Sequence, residues 1–211
     1  MKTSTLANPM PKPILFKART RYFRWAILGL LPFVALTESH WDEHSFIGEA
    51  LPLAGLVLIV VGVITRIFST LYVGGRKNDL LMTDGPFSVV RNPLYVGSFI
   101  ATLGVGFMTG SLLIAAMATG LFLAVHHHTI TREEAFLRGK FGQAYADYYA
   151  ATPRWIPNLS LWKSPGDISV KPVFILRTIR DGMMFVLAIP ALMVIADLRD
   201  HGTIPTLFFA Y

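Results

Sequence analysis

The chain has 211 residues, 53% of them hydrophobic and only 15% charged, with a mean hydropathy of +0.51. A water-soluble domain carries about a quarter charged residues, so this composition excludes an ordinary soluble enzyme and asks for lipid as solvent. With no cysteine, disulfides, thiolate metal sites and cysteine nucleophiles are excluded, and the +6 charge lies beside apolar runs, which reads as membrane contact and not nucleic acid.

A basic leader, residues 1–24, precedes the first apolar segment, residues 25–37, which can extend to Trp41 with its polar end at the interface. No small-residue cleavage site follows it, so it reads as a retained anchor. The second predicted span covers residues 46–73 and is charge-free from 51 to 65. Arg66 lies near its far end, from where it can snorkel to the headgroups. Residues 92–131 then run for forty positions without Lys, Arg, Asp or Glu. As one helix they would be about 60 Å long, twice the bilayer core. The chain must therefore fold back, and Met108-Thr109-Gly110-Ser111 is the turn of a helical hairpin. The last span covers residues 173–197, with Pro190 placed to kink it. The organisation is thus a leader (1–24), a membrane core with polar loops (25–172) and a C-terminal helix and tail (173–211).

Of the 19 Lys and Arg residues, 17 fall on one side of this layout, whereas the loop from Glu38 to Glu49 has none. The positive-inside rule makes the basic side cytoplasmic, with the N-terminus inside and the C-terminus outside. The fold class is an all-α integral membrane protein of about five transmembrane helices with a cytoplasm-facing cofactor pocket. The expected location is a bacterial inner membrane.

Two segments on the basic side, residues 74–95 and 126–157, hold nearly all the polar groups. Gly85-Pro86 breaks any helix, and Pro93 suits the first turn of the next, where a missing N–H costs nothing. Arg91 and Asn92 therefore stand at a helix start, which attracts carboxylate or phosphate, or else serve as a cap and an interfacial arginine. The span from 93 to 107 is only about 22 Å long, so either the bilayer thins or the Arg91 end lies recessed below the headgroups. Irregular polar backbone at that depth is tolerated only around a cavity.

In the second segment, His126, Thr129, Ile130 and Glu133 share one helical face. Glu134 points about 100° away and reads as a solvated partner of Arg138, four residues on. The consecutive His126, His127 and His128 diverge on a helix, so they read as an interfacial helix end, and no metal is assigned. Gly104-Val105-Gly106 lies within an apolar span with no strand before it, which favours close helix packing over a nucleotide loop.

Gly85-Pro86-Phe87 followed by Arg91-Asn92-Pro93-Leu94-Tyr95-Val96-Gly97 resembles the signature of the isoprenylcysteine carboxyl methyltransferase and phospholipid methyltransferase family. Glu133-Glu134, Leu137, Phe141-Gly142, Tyr145, Tyr148 and Pro153-Arg154-Trp155-Ile156-Pro157 resemble its second block, at similar spacing. The resemblance covers residues 60–160. It implies S-adenosylmethionine as methyl donor, with Asp79, Leu80, Leu81, Met82 and Phe87 around it. Asn92, Pro93, Leu94 and Tyr95 contact it at the helix start, and Glu133 completes the site.

Asn92 stands where the family usually has His. Thr129 stands where its prenylcysteine enzymes carry an arginine for the substrate carboxylate. The catalytic candidates are Arg91, Thr129 and His126; an amine or thiol acceptor must lose a proton, and His126, on the Glu133 face, is the candidate base. The acceptor is a lipophilic or small molecule, with membrane lipids as surroundings. Two rival readings stand beside this one. An NADPH-dependent sterol or steroid reductase has a similar Arg-His-Pro-x-Tyr-x-Gly segment but continues with Glu where this chain has Ser98. The other is a non-catalytic membrane protein.

Overall fold

The computed structural model describes residues 29–42, 45–75, 79–164, 168 and 170–211. The basic leader and the cations Arg76 and Lys77 lie outside the described residues. Residues 29–36 are helical and lead into a short strand, β1 (Thr37–Ser39). Helix α1 (Phe46–Val73) follows, then a four-residue turn of helix, α2 (Pro86–Val89). Next come α3 (Pro93–Met108), α4 (Leu112–Phe141), α5 (Gln143–Ala151), a 3-10 turn (Leu159–Leu161), α6 (Pro172–Asp200) and β2 (Phe208–Ala210).

Among the described residues three helices, α1, α4 and α6, are long and apolar enough to cross a bilayer, and α3 is a shorter apolar helix. The second predicted span matches α1, and the forty-residue stretch folds back as expected. Gly110 takes φ +71° in the turn, and the Ser111 hydroxyl accepts from the Ile114 N–H to start α4. Helix α6 passes through Pro190 as one continuous helix. The first predicted span does not extend to Trp41. Its helix ends at residue 36, where β1 pairs in parallel with β2, Thr37 opposite Phe208, so the chain is not wholly α.

Packing between α1 and α3 rests on two reciprocal glycine contacts. A Cβ on Gly55 would meet the Gly104 carbonyl oxygen at 2.6 Å, and one on Gly62 would meet that of Gly97 at 2.5 Å. The order shows that the helices run antiparallel, with the fully buried Ile59 and Ala101 between the two crossings. In lipid there is no hydrophobic drive between helices, so close backbone approach and dispersion hold them. A Cβ on Gly106 would meet the Ala115 Cα at 2.4 Å, which joins α3 to α4. The glycine triplet 104–106 is thus a packing device, as its apolar setting implied. Helix α6 meets α1 where Gly182 faces Val63 and the Thr70 and Thr178 hydroxyls lie 2.9 Å apart.

One end of the bundle is closed by the strand pair, by Ser39 donating to the Gly110 carbonyl, and by Ser111 donating to the Tyr211 carbonyl. The two polar segments meet at the other end. Gly62→Leu forces its side chain into the α3 backbone and is expected to lower unfolding stability by about 1–3 kcal/mol or more. Gly120→Ala, which meets nothing within 4 Å, is expected to leave it unchanged or raise it by up to about 1 kcal/mol. Thermal unfolding in lipid nanodiscs measures both.

Candidate active site

The 30 residues of α4 give a helix of about 45 Å, some 15 Å longer than the bilayer core. Its last turns, carrying Glu133 and Glu134, therefore stand clear of the short α3 and can reach the loop before it. Gly142, at φ +55°, ends α4, and α5 turns away from it. That turn lets the chain from 149 to 158 run beneath the 85–92 loop. The backbone records the junction: the Arg91 N–H donates to the Pro153 carbonyl at 2.8 Å, and the Asn158 N–H to that of Val89 at 2.9 Å. Within the loop, Gly85 at φ +57° lies so close to Tyr72 that a Cβ would sit 2.2 Å from its ring. Only glycine fits there.

Glu134 is the centre of this junction. Its Oε1 lies 3.4 Å from Arg91 Nε and accepts from Asn92 Nδ2 at 3.1 Å, and its Oε2 lies 3.2 Å from an Arg154 guanidinium nitrogen. The carboxylate is buried, so it is not the solvated partner of Arg138 expected from i, i+4 spacing. Arg91 also donates to the carbonyls of Tyr149 and Thr152, at 2.6 and 3.1 Å, and stacks on the Tyr149 ring at 3.8 Å. Arg154 donates to the Thr131 hydroxyl at 2.8 Å. Two cations, one anion and an amide thus gather where isolated charges would be costly.

Tyr145 and Tyr148 of α5 lie in the same layer. Burial, aided by the Glu134 carboxylate, pushes the Tyr145 phenol up to about 12, against the lowering effect of Arg91 and Arg138. Burial likewise pushes Tyr148 up, Tyr145 adding to it, and its hydroxyl donates to the Phe87 carbonyl at 2.7 Å.

On the membrane side of the junction, His126 is buried and its ring lies 4.1 Å from that of Phe122 and 5.5 Å from that of Tyr95. Its Nδ1 donates to the Phe122 carbonyl at 2.9 Å, since a carbonyl can only accept. Thr129 is buried on the same face. His127 and His128 are exposed, and among the described residues no three His, Asp or Glu side chains group as metal ligands.

The structure therefore brings Arg91 and Asn92 to Glu134, and Tyr95 to His126. Pro93 is fully buried, Leu94, Phe87, Leu81, Met82 and Glu133 are half-buried, and Asp79 and Leu80 are exposed. An open cleft of about 610 Å³ flanks the junction, lined by Arg91, Tyr149, Thr152, Arg154 and Asn158 but by none of Asn92, Tyr95, His126 or Glu133. Asn92 does not cap α3 with its side chain, because the amide is turned to Glu134.

Residues 45–144 match the family described as phospholipid methyltransferase. Over 178 residues, 83% of each chain, the protein is 32% identical to the nickel-cobalt-cadmium resistance protein NccN of Alcaligenes xylosoxydans xylosoxydans. It is 37% identical over 82 residues to the protein-S-isoprenylcysteine O-methyltransferase of Schizosaccharomyces pombe, 39% of this chain and 35% of that one. The chain belongs to the isoprenylcysteine and phospholipid methyltransferase family. It is also 31% identical over 172 residues to the cobalt-zinc-cadmium resistance protein CzcN of Cupriavidus metallidurans, covering 81% of this chain and 79% of that one. No solved structure matches. Membership makes this protein a membrane methyltransferase, and the Glu134 junction lies between the two motif blocks of that family.

Sequence reasoning missed Glu134, Arg154 and Tyr149 as members of this junction. The signal was the row of positions 122, 126, 130 and 134, four residues apart and all buried. Glu134→Gln takes the anion from a buried Arg91 and a half-buried Arg154 and is expected to cost about 3–5 kcal/mol of stability. A solvated helix pair would cost only about 0.3–0.5 kcal/mol. Denaturant unfolding in detergent decides between them.

Below pH 10 both folded and unfolded chains keep the two phenols protonated. Above it the unfolded chain releases those protons first, so stability falls with rising pH, by up to about 1.4 kcal/mol per unit for each tyrosine. The expected Tm is flat with respect to these groups up to about pH 10. It then declines less steeply in Tyr145→Phe than in the wild type.

Proposed function

We propose that this protein transfers a methyl group from S-adenosylmethionine to a small or lipophilic acceptor, in a pocket between the start of α3 and the α4 face carrying His126, Thr129 and Glu133. The observation that carries this reading is the Asn92–Glu134–Arg91 junction, since it ties the helix start of one motif block to the carboxylate pair of the other. The residues fit such a donor. Glu133 can accept hydrogen bonds from ribose hydroxyls or balance positive charge. The start of α3, which Asn92 does not cap, suits a carboxylate. Phe87 and Tyr95 offer apolar faces to a purine. Asp79, Leu80, Leu81 and Met82 border the same loop, with Pro93 and Leu94 beneath it.

A bound sulfonium donor supplies an electrophilic methyl carbon for in-line displacement. The chain's own part is to align the acceptor and exclude water, effects together worth up to about 7–11 kcal/mol. His126 takes the proton of an amine or thiol acceptor, with its Nδ1 bond to the Phe122 carbonyl orienting the ring. Arg91 holds the loop through Glu134 and the carbonyls of Tyr149 and Thr152, and Thr129 faces the acceptor.

In this reading five helices span a bacterial inner membrane, the N-terminus is cytoplasmic, and the pocket opens to the cytoplasm. NccN and CzcN are named for resistance to heavy metals, and this reading sets the methylation in such a context.

Titration of the purified full-length protein with S-adenosylhomocysteine is expected to give saturable binding, and titration with NADPH none. The reverse result favours the reductase, and no binding of either favours a non-catalytic protein. Radiolabelled methyl donor incubated with membranes is expected to label a lipid-phase or small-molecule product. His126→Ala is expected to lower that labelling by about 10²–10⁴-fold while homocysteine-analogue binding persists.

A further inference from the structure

The chain from 153 to 163 is bonded along its length to the 85–91 loop. Besides the Arg91–Pro153 and Asn158–Val89 bonds, the Lys163 N–H donates to the Ser88 hydroxyl at 3.0 Å, and the Gly85 N–H donates to the Lys163 carbonyl at 2.8 Å. Ser88 in turn donates to the Gly85 carbonyl, and Trp155 packs against Val89, Val90 and Val96. The 153–163 segment is thus a strap that supports the loop leading into α3.

The strap also exposes apolar side chains. Ile156 is 82% exposed, Leu159 75% and Trp162 43%, although the backbone that carries them is held in place. A fixed apolar patch of this kind marks a contact surface. Its height is set by Trp162, whose ring stacks on that of Phe68 in α1, 6.1 Å away and nearly parallel. Helix α1 is about 42 Å long against a hydrocarbon core of about 30 Å, an overshoot of about 6 Å at each end. Phe68 lies about 7.5 Å before the end of α1 at Val73. Trp162 therefore stands at the edge of the hydrocarbon, where tryptophan is favoured. The exposed Lys163 follows it directly, and Lys171, also exposed, lies against Gly75 just past the end of α1. Apolar side chains at this level, with lysines beside them, suit an anionic lipid surface. A second copy seated on the same face would bring like charges together.

We propose that the strap is a lipid-surface sensor. Ile156, Leu159 and Trp162 lie in the leaflet at the basic end, Lys163 and Lys171 meet its anionic headgroups, and this contact sets the affinity of the donor site through the 85–91 loop. A strap held in the leaflet orders the loop in advance, so less conformational freedom remains for the donor to remove. The lipids act here as a surface and not as methyl acceptors. The coupling rests on the methyltransferase reading; the lipid contact does not.

The chain has no cysteine, so single spin labels can be placed on the full-length protein in nanodiscs. Labels at Leu159→Cys, at Val57→Cys on the exposed face of α1 and at Gly139→Cys near the projecting end of α4 are compared for collision with oxygen and with a water-soluble nickel chelate. The Leu159 label is expected to favour oxygen, as the Val57 label does. A preference for nickel like that of the Gly139 label overturns the lipid contact. Shielding from both reagents overturns it in favour of a second copy.

Titration with S-adenosylhomocysteine tests the coupling. Nanodiscs of phosphatidylcholine containing phosphatidylglycerol are expected to bind it about three- to tenfold more tightly than phosphatidylcholine alone, since each lysine near an anionic surface contributes about fivefold. Lys163→Gln combined with Lys171→Gln is expected to remove that difference. Equal affinity of the wild type in the two lipids overturns the coupling, as does an undiminished difference in the lysine variant. Absence of binding in both lipids defeats the methyltransferase reading and the coupling with it, while the Leu159 label still judges the lipid contact.

Discussion

One carboxylate, that of Glu134, joins segments that are forty residues apart in the chain. Its two oxygens meet the buried Arg91 side chain, Asn92 and the half-buried Arg154. A buried ion pair is weak evidence for net stability, because desolvation offsets most of the Coulombic gain. Its geometric consequence is firmer. Arg91 is held by one side chain and by two carbonyls of the 149–152 stretch, so the loop before α3 has one register against α4 and α5. The start of α3, and with it Tyr95 and its ring contact to His126, inherits that register.

Helix lengths put this junction where it is. Helix α3, with 16 residues, is about 24 Å long, whereas α4 is about 45 Å. Two antiparallel helices joined by a tight turn and so unequal in length must leave the longer one projecting. The polar end of α3 therefore lies beside α4, and the loop before it bonds its backbone to protein, Gly85 N–H to the Lys163 carbonyl and Arg91 N–H to that of Pro153, as irregular chain at membrane depth requires. The glycine crossings between α1 and α3 fix the height of α3 and keep it from sliding along its neighbour.

Much of this was legible in the sequence because it depends on local quantities. Hydropathy gave α1 its limits, helix length forced the fold-back, and Thr109-Gly110-Ser111 had the chemistry of a turn and an N-cap. The motif blocks were visible as residue types at fixed spacing, which is also why the family could be read. What was not legible depends on contacts between distant residues. The strand pair consists of two three-residue strands at opposite ends of the chain, too short for any alternating pattern to show.

The choice between Glu133 and Glu134 turned on which azimuth of α4 met the 85–92 loop. An ideal 100° step puts Glu133 nearer to His126, and the partners offered by Arg91 and Arg154 instead bury Glu134. Arg66 likewise has a contact that its position along the span does not show: it donates to the Ser98 hydroxyl, and Gly97 on the facing helix makes room for its stem.

The two carboxylates consequently serve different ends, and their adjacency is the useful feature. Glu134 is occupied by structural cations, and its charge is balanced within protein. Glu133, about 100° around the helix and half-buried, lies on the azimuth of His126 and Thr129. A fixed anion beside a mobile requirement for charge is what a cationic ligand demands. If both carboxylates faced the same guanidinium groups, nothing would distinguish a binding group from a scaffold. Because they face apart, the proposed reading has the helix anchor the loop with one residue and turn the next toward the donor, with α4 as the rigid element common to both.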